Sequence, residues 1–307
     1  MRRRFRFGAL ISRAESLAHW QDLARKAESL GYSTLLVADH FGQQLAPMPA
    51  LVAAAAASSS LRVGTFVLDN DFRHPAVTAK EAATVDVLSA GRLELGIGAG
   101  WNPVDYQQTG LTFEPAGTRV SRLEEALHIL KAFFVDGKVT YHGRYYRVED
   151  LDGLPRPVQT PHPPILIGAA GRRMLRLAAR EADILNFPDR PSVGVSTAGN
   201  PGLGLSMPEQ MAIVREAAGE RYASLELSAL VIPRVNAPMR ETLEALAVQM
   251  RTTPEVVDAM PGTLIGSVEA IVDKLHANRE RFDISYAVVP GGALEAMAPV
   301  VARLTGG

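Results

Sequence analysis

Eight short apolar runs in this chain lack the polar–apolar alternation of a half-buried strand. They fall at 6–11, 34–38, 61–68, 93–98, 164–168, 183–187, 225–235 and 284–289. A strand without alternation has both faces covered, as in a parallel sheet overlaid by helices. Amphipathic patterns lie between the runs. The stretch SLAHWQDLARKAESLG (16–31) opens on a serine cap and stops at a glycine. In SRLEEALHILKAFF (121–134), Leu123, Leu127, Leu130 and Phe134 recur at helical spacing. Eight buried strands alternating with helices favour an α/β fold of the (β/α)8 TIM-barrel type over an open sheet.

Three segments interrupt the alternation and read as insertions. Residues 139–148 (VTYHGRYYRV) predict a hairpin around His142 and Gly143. The Pro-, Gly- and Ser-rich stretch 188–206 predicts a long loop, a candidate lid. Residues 239–262 predict extra helix before the last crossover. With no linker and no internal repeat, residues 1–307 read as one barrel domain.

Composition narrows the partners. The chain is 47% hydrophobic and 21% charged, with a net charge of -1. That supplies a large core but no broad basic field for nucleic acid or membrane. Cysteine is absent, which excludes disulfides and thiolate metal sites. The basic start MRRRFRFGALISRAE has too short an uncharged stretch, 7–12, for a signal core. The greasiest tract, LVAAAAASSS (51–60), falls short of the roughly 20 apolar residues a membrane span needs. The expectation is a cytoplasmic protein acting on a small molecule.

The fourth run ends in GIGAGWNPVDY, with glycines at 96, 98 and 100. A dinucleotide fingerprint is G-x-G-x-x-G at the opening of a helix. Here the spacing is G-x-G-x-G, and Trp101-Asn102-Pro103 follows. Two readings compete with the fingerprint. Either the strand end admits something flat against its backbone, or the glycines only relieve crowding inside the sheet.

Other strand ends carry chemistry. The second run ends LLVADHF, which places Asp39 and His40 where barrel enzymes keep their active sites. His40 is either structural or a proton carrier, with an aspartate fixing its tautomer or contacting a ligand. The fifth run ends ILIGAAGRRMLRLAAR. Its small residues open a helix whose backbone N–H groups suit a phosphate, with Arg172 or Arg173 assisting, or form an ordinary turn. Rival chemistries lack their residues. A Schiff-base aldolase needs a lysine at a strand end, and none lies between 139 and 273. The seven histidines are scattered without metal-ligand spacing, so no metal is expected. No G-x-S-x-G elbow occurs.

The run GTFVLDNDFRHPAVTAKEAATVDVLSAGRLELGIGAGWNPVDY (64–106), with ADHF before it and PILIGAAGRRMLRLAAREADIL after it, resembles the bacterial luciferase-like monooxygenase superfamily. Within that superfamily it is most similar to the branch that uses the deazaflavin coenzyme F420. The resemblance implies a TIM barrel holding F420, or alternatively FMN, at its C-terminal mouth, commonly as a homodimer. It implies hydride transfer to or from a small organic substrate, with reduction of a C=C or C=N bond as one form. The alternatives are an FMN-dependent monooxygenase and a non-catalytic flavin-binding protein. By motif, Asp39 contacts the cofactor and His40 is catalytic beside the reacting face. Phe66–Val67 forms a non-prolyl cis bulge behind the ring. Ala99, Gly100 and Asn102 line the ring or its side chain. Gly168, Ala169, Ala170, Gly171 and Arg172 hold the phosphate, while Arg73, His74 and Pro75 read as structural. The glycines at 96–100 then make room beside the ring. The F420-dependent sugar-phosphate dehydrogenases of the superfamily carry an acid where this chain has Trp101 and asparagine at Val104. Their sugar-phosphate lysines have no counterpart here. This points to a flatter or more apolar substrate.

Overall fold

The computed structural model describes residues 3–135, 137–188 and 205–306. Its first half contains β1 (Arg6–Leu10), α1 (Leu17–Ser29), β2 (Thr34–Val37), α2 (Pro47–Ala57), β3 (Arg62–Thr65), β4 (Leu68–Asp69), α3 (Pro75–Leu88), β5 (Leu93–Gly98), α4 (Pro103–Thr109) and α5 (Ala116–Val135). There follow β6 (Lys138–His142), β7 (Arg147–Asp152), β8 (Ile165–Gly168), α6 (Arg172–Glu181), β9 (Ile184–Phe187), α7 (Met207–Ala218), β10 (Glu226–Leu230) and β11 (Ile232–Val235). The last part has α8 (Met239–Met250), α9 (Pro254–Ala259), β12 (Thr263–Gly266), α10 (Val268–Phe282), β13 (Ile284–Pro290) and α11 (Leu294–Thr305).

Two compact units are present. One comprises Ile11–Arg25 and Leu35–Gly168. Within it β5 pairs in parallel with β3, β4 and β8. All six residues of β5 are buried, the apolar ones as expected and Glu94 through an ion pair with Arg62 at 2.8 Å. Each such Leu or Ile removed from water is worth about 1.5–3 kcal/mol. Buried residues Leu123, Leu127, Leu130 and Phe134 form the inner stripe of α5. Pro75 starts α3, and the His74 ring accepts the Ala76 N–H at 3.2 Å, so both residues are a helix start. The predicted hairpin is β6 against β7, antiparallel, with the chain turning after His142.

The other unit comprises Met1–Leu10, Lys26–Thr34 and Ala169–Gly307. Its parallel strands run in the order β1, β13, β10, β9. The Arg6 guanidinium grips Glu226 through two bonds of 2.8 and 2.7 Å. The run 225–235 divides into β10 and β11, and β11 pairs with β12 in a separate small parallel sheet. Residues 239–262 contain α8 and α9, as expected. These helices pack Leu246, Met250 and Val257 on Ile232 and Ile265, a cluster that covers the small sheet. Of the expected loop 188–206, positions 189–204 lie outside the described residues.

The run 61–68 forms two strands because the Phe66–Val67 peptide bond is cis, at the position the resemblance implies. The Thr65 hydroxyl donates to the Gly96 carbonyl at 2.6 Å and accepts the Gly96 N–H at 2.8 Å. A Cβ at Gly96 would overlap the Thr65 carbonyl, and one at Gly98 would lie 3.0 Å from a Val67 methyl. These two glycines therefore accommodate the neighbouring bulged strand. Gly96→Ala is expected to lower the unfolding free energy by about 1–3 kcal/mol, the cost of overpacking a tight core. Urea denaturation checks this, and an unchanged midpoint would show that the two strands separate without penalty.

Candidate active site

Asp39 and His40 follow β2 and turn to different partners. The Asp39 carboxylate is buried and accepts both arms of the Arg73 guanidinium, at 2.6 and 3.1 Å. It also accepts the Asp69 N–H at 3.1 Å. A two-armed arginine contact fixes a carboxylate in plane and orientation. Arg73, read as merely structural from sequence, thus sets the position of Asp39.

His40 Nδ1 lies 2.6 Å from Asp105 Oδ2. Asp105 is buried, whereas the His40 side chain retains 28% exposure. The carboxylate also accepts the Phe41 N–H at 3.2 Å and the Asn102 side-chain amide at 2.9 Å. A carboxylate accepts, so in this contact Nδ1 is the donor and Nε2 is the ring nitrogen left to exchange a proton. Trp101 stands edge-on to the imidazole, ring centres 5.5 Å apart. Sequence reasoning did not single out Asp105. Its signal is the pattern Asn102-x-x-Asp105 at a helix start, which reads as ordinary capping. Asn102 does cap α4, accepting the Val104 N–H at 3.3 Å. The acid three residues on turns instead to His40.

Beneath this pair lies a cluster of buried acids. The Tyr106 hydroxyl sits 3.1 Å from Asp69 Oδ1 and 3.1 Å from Asp71 Oδ2. Arg122 pairs with Asp71 at 3.1 Å. Burial pushes the Asp69 carboxyl up to about 6, against opposing hydrogen bonds from the Asp71 N–H and Tyr106. Burial raises Asp71 too, opposed by Arg122. It raises Tyr106 as well, with both acids adding to the effect. Gly100 has φ +73°, and a Cβ there would overlap the Tyr106 hydroxyl and the Asp69 carboxylate. Arg119 donates to the Ala99 carbonyl at 3.1 Å and to the Gly100 carbonyl, tying that turn down.

Of the residues expected at the site, Asp39, His40, Phe66, Val67, Ala99, Gly100, Asn102 and Gly168 belong to one unit. Ala169, Ala170, Gly171 and Arg172 belong to the other. There Gly171, φ +82°, precedes α6 and brings no side chain to cap it. The Ala169 N–H is already committed to the Asn186 carbonyl at 3.0 Å. Anion-binding capacity in this turn therefore rests on the first N–H groups of α6 and on Arg172.

Residues 4–191 match the luciferase-like monooxygenase family, and the chain belongs to it. A curated relative is the F420-dependent glucose-6-phosphate dehydrogenase of Microbacterium testaceum (strain StLB037). It is 36% identical over 170 residues, which cover 53% of this chain and 50% of that protein. The chain thus spans about half the length of the curated relatives it matches. Among solved structures, the coenzyme F420-dependent tetrahydromethanopterin reductase of Methanopyrus kandleri superposes with a TM-score of 0.76 at 19% identity, covering 98% of this chain and all of that one. A monooxygenase of Streptomyces bottropensis gives 0.73 at 20% identity, covering 97% of each chain. The fold is the (β/α)8 barrel expected from the strand pattern. No helix among the described residues is long and apolar enough to cross a membrane.

The raised Asp69 carboxyl has a consequence for stability. Its ordinary value is 3.8 and its folded value about 6, so the folded state binds this proton more tightly than the unfolded chain. The stabilisation is present in full below the ordinary value and is lost as pH rises through the folded one. At about 1.4 kcal/mol per pKa unit, it amounts to roughly 3 kcal/mol. Asp69→Asn cannot ionise. Between about pH 4 and about pH 7 the wild type should lose on the order of 2–3 kcal/mol relative to this variant. Parallel stability curves for the two proteins would contradict the assignment.

Proposed function

We propose that this protein is an oxidoreductase dependent on coenzyme F420, with His40 as its general acid–base residue. The observation that carries the reading is the 2.6 Å His40–Asp105 pair at the end of β2, in the same unit as the cis bulge. The names of the curated F420-dependent relatives support it.

The residues present fit a flat ring with an anionic side chain. Asp39 offers a carboxylate that Arg73 holds in one orientation. The Phe66–Val67 bulge presents a non-standard backbone surface, and Ala99, Gly100 and Asn102 follow the adjoining strand end. Gly168 ends β8 in this unit. In the other unit, the α6 start at Ala170, Gly171 and Arg172 is by itself suited to a phosphate. When bound, the deazaflavin ring supplies the hydride donor or acceptor. His40 Nε2 handles the accompanying proton. It takes one from a substrate hydroxyl on oxidation, or returns one to a substrate heteroatom on reduction. Asp105 holds the ring and stabilises the imidazolium through Nδ1–H.

The surroundings favour an uncharged, flat substrate over a sugar phosphate. Phe41, Trp101, Val104, Leu111 and Phe113 are exposed apolar residues on the segments flanking the pair. In the same unit Arg73, Arg119 and Arg122 are committed to Asp39, to backbone carbonyls and to Asp71. An α,β-unsaturated or imine-bearing metabolite fits this lining. We take the working unit to be a homodimer, which sedimentation of the purified protein tests, and its location to be the cytoplasm, which cell fractionation tests.

His40→Ala should lower turnover by at least about tenfold, within the range general acid–base help supplies, while cofactor still binds. Equal turnover would leave His40 as a packing residue. Titration of F420 and of FMN into apo-protein at two salt concentrations tests the cofactor. F420 should bind more tightly, with an advantage that falls as salt rises, because its anionic tail suits arginines such as Arg172 and Arg173. Tighter FMN binding with substrate-dependent oxygen consumption would favour the monooxygenase reading.

A further inference from the structure

The hydroxyl of Tyr106 has one hydrogen and two carboxylate neighbours. It lies 3.1 Å from Asp69 and 3.1 Å from Asp71, and Tyr106 is buried. A phenol donates once. With both acids ionised, one of these contacts sets a phenol lone pair against a carboxylate lone pair. Both contacts become hydrogen bonds when one acid carries a proton and donates it to the phenol oxygen.

The charges facing each acid decide which one holds that proton. Asp71 faces Arg122 at 3.1 Å and feels Arg119, both from α5. Asp69 faces like charge from Asp71 on its own segment and from Asp39 at the end of β2. Arg73, whose charge reaches Asp69, has both arms on Asp39. From α4, Asp69 meets only the Tyr106 hydroxyl. The Asn70 amide beside it donates away, to Tyr146 of the hairpin, at 3.1 Å. Asp69 is therefore the acid of the pair that holds the proton, which it keeps below about pH 6.

We infer that Asp69 is a positioning residue: it holds a proton shared through Tyr106 with Asp71, and this proton fixes the turn that carries Asp105 and thereby the His40 ring. The covalent path is short. Tyr106 directly follows Asp105 on α4, and the Asp69 carboxylate abuts Gly100, next to Trp101. When Asp69 loses its proton, the phenol can satisfy only one carboxylate. The Gly100–Tyr106 turn must then shift, and Asp105 and Trp101 shift with it. The inference rests on the proposed role of His40 only for its meaning in turnover.

The test uses apo-protein and needs neither cofactor nor substrate, so it fails or succeeds independently of the proposed function. Infrared difference spectra against pH read protonated carboxyl groups. A carboxyl band should disappear with a midpoint near 6, the value to which burial raises Asp69, and Asp69→Asn should lack that band. The chain has two tryptophans, one of them the buried Trp20, so 5-fluorotryptophan labelling gives Trp101 its own fluorine signal. In a His40→Gln background, which removes the histidine titration, the Trp101 signal should still shift with that midpoint. It should stay constant in His40→Gln/Asp69→Asn. Tyr106→Phe, which keeps the ring, serves if the Asp69 variant does not fold. Losing the hydroxyl that links the two acids should weaken the Trp101 response. The inference is overturned if no carboxyl band titrates near neutrality, or if one does while Trp101 does not respond.

Discussion

The contact between Thr65 and Gly96 sets the geometry from which the site follows. The Thr65 hydroxyl bridges the Gly96 carbonyl and N–H, and the two backbones approach so closely that no side chain fits between them. A side chain there would overpack the contact, and tightly packed interiors transmit such strain. The approach seats the bulged segment beside β5 and registers Asp69 against Gly98. Asp69 is thereby delivered beneath Gly100, and the buried acid cluster forms around it. The glycine pattern thus serves one strand's accommodation of another.

Three carboxylates near the end of β2 are handled in three ways. Asp39 is neutralised by the Arg73 fork, Asp105 is directed to His40, and Asp69 shares only the field of Arg73, whose arms are on Asp39. A buried charge without a partner costs several kcal/mol, so the third acid relieves its position by holding a proton. The acid that sequence placed beside His40 is Asp39, but the acid that orients the ring is Asp105. The two adjacent residues of the Asp-His pair thus belong to separate networks.

Much of this was legible in the sequence, and the exceptions have physical reasons. Strands buried on both faces announce themselves as unbroken apolar runs, so β5 and the stripe of α5 appear where expected. The hairpin follows from its His-Gly turn. The division of 61–68 into β3 and β4 came from resemblance, because no local propensity encodes a non-prolyl cis bond. β12 was missed because Thr263–Gly266 is four residues long and covered by a small local cluster. The His40–Asp105 pair spans 65 positions, a separation that no spacing rule reaches. Arg73 appeared structural because its target, Asp39, lies on a different strand end.

The proposed function requires the protein to retain a deazaflavin. The most direct measurement is the mass and absorbance of the cofactor retained by the protein after purification from a host that makes both F420 and FMN. The account predicts a deazaflavin with its oligoglutamate tail, retained equally by His40→Ala and lost when Gly171→Glu puts bulk and negative charge at the start of α6. Retention of FMN, or of no cofactor by the folded wild type, would contradict it.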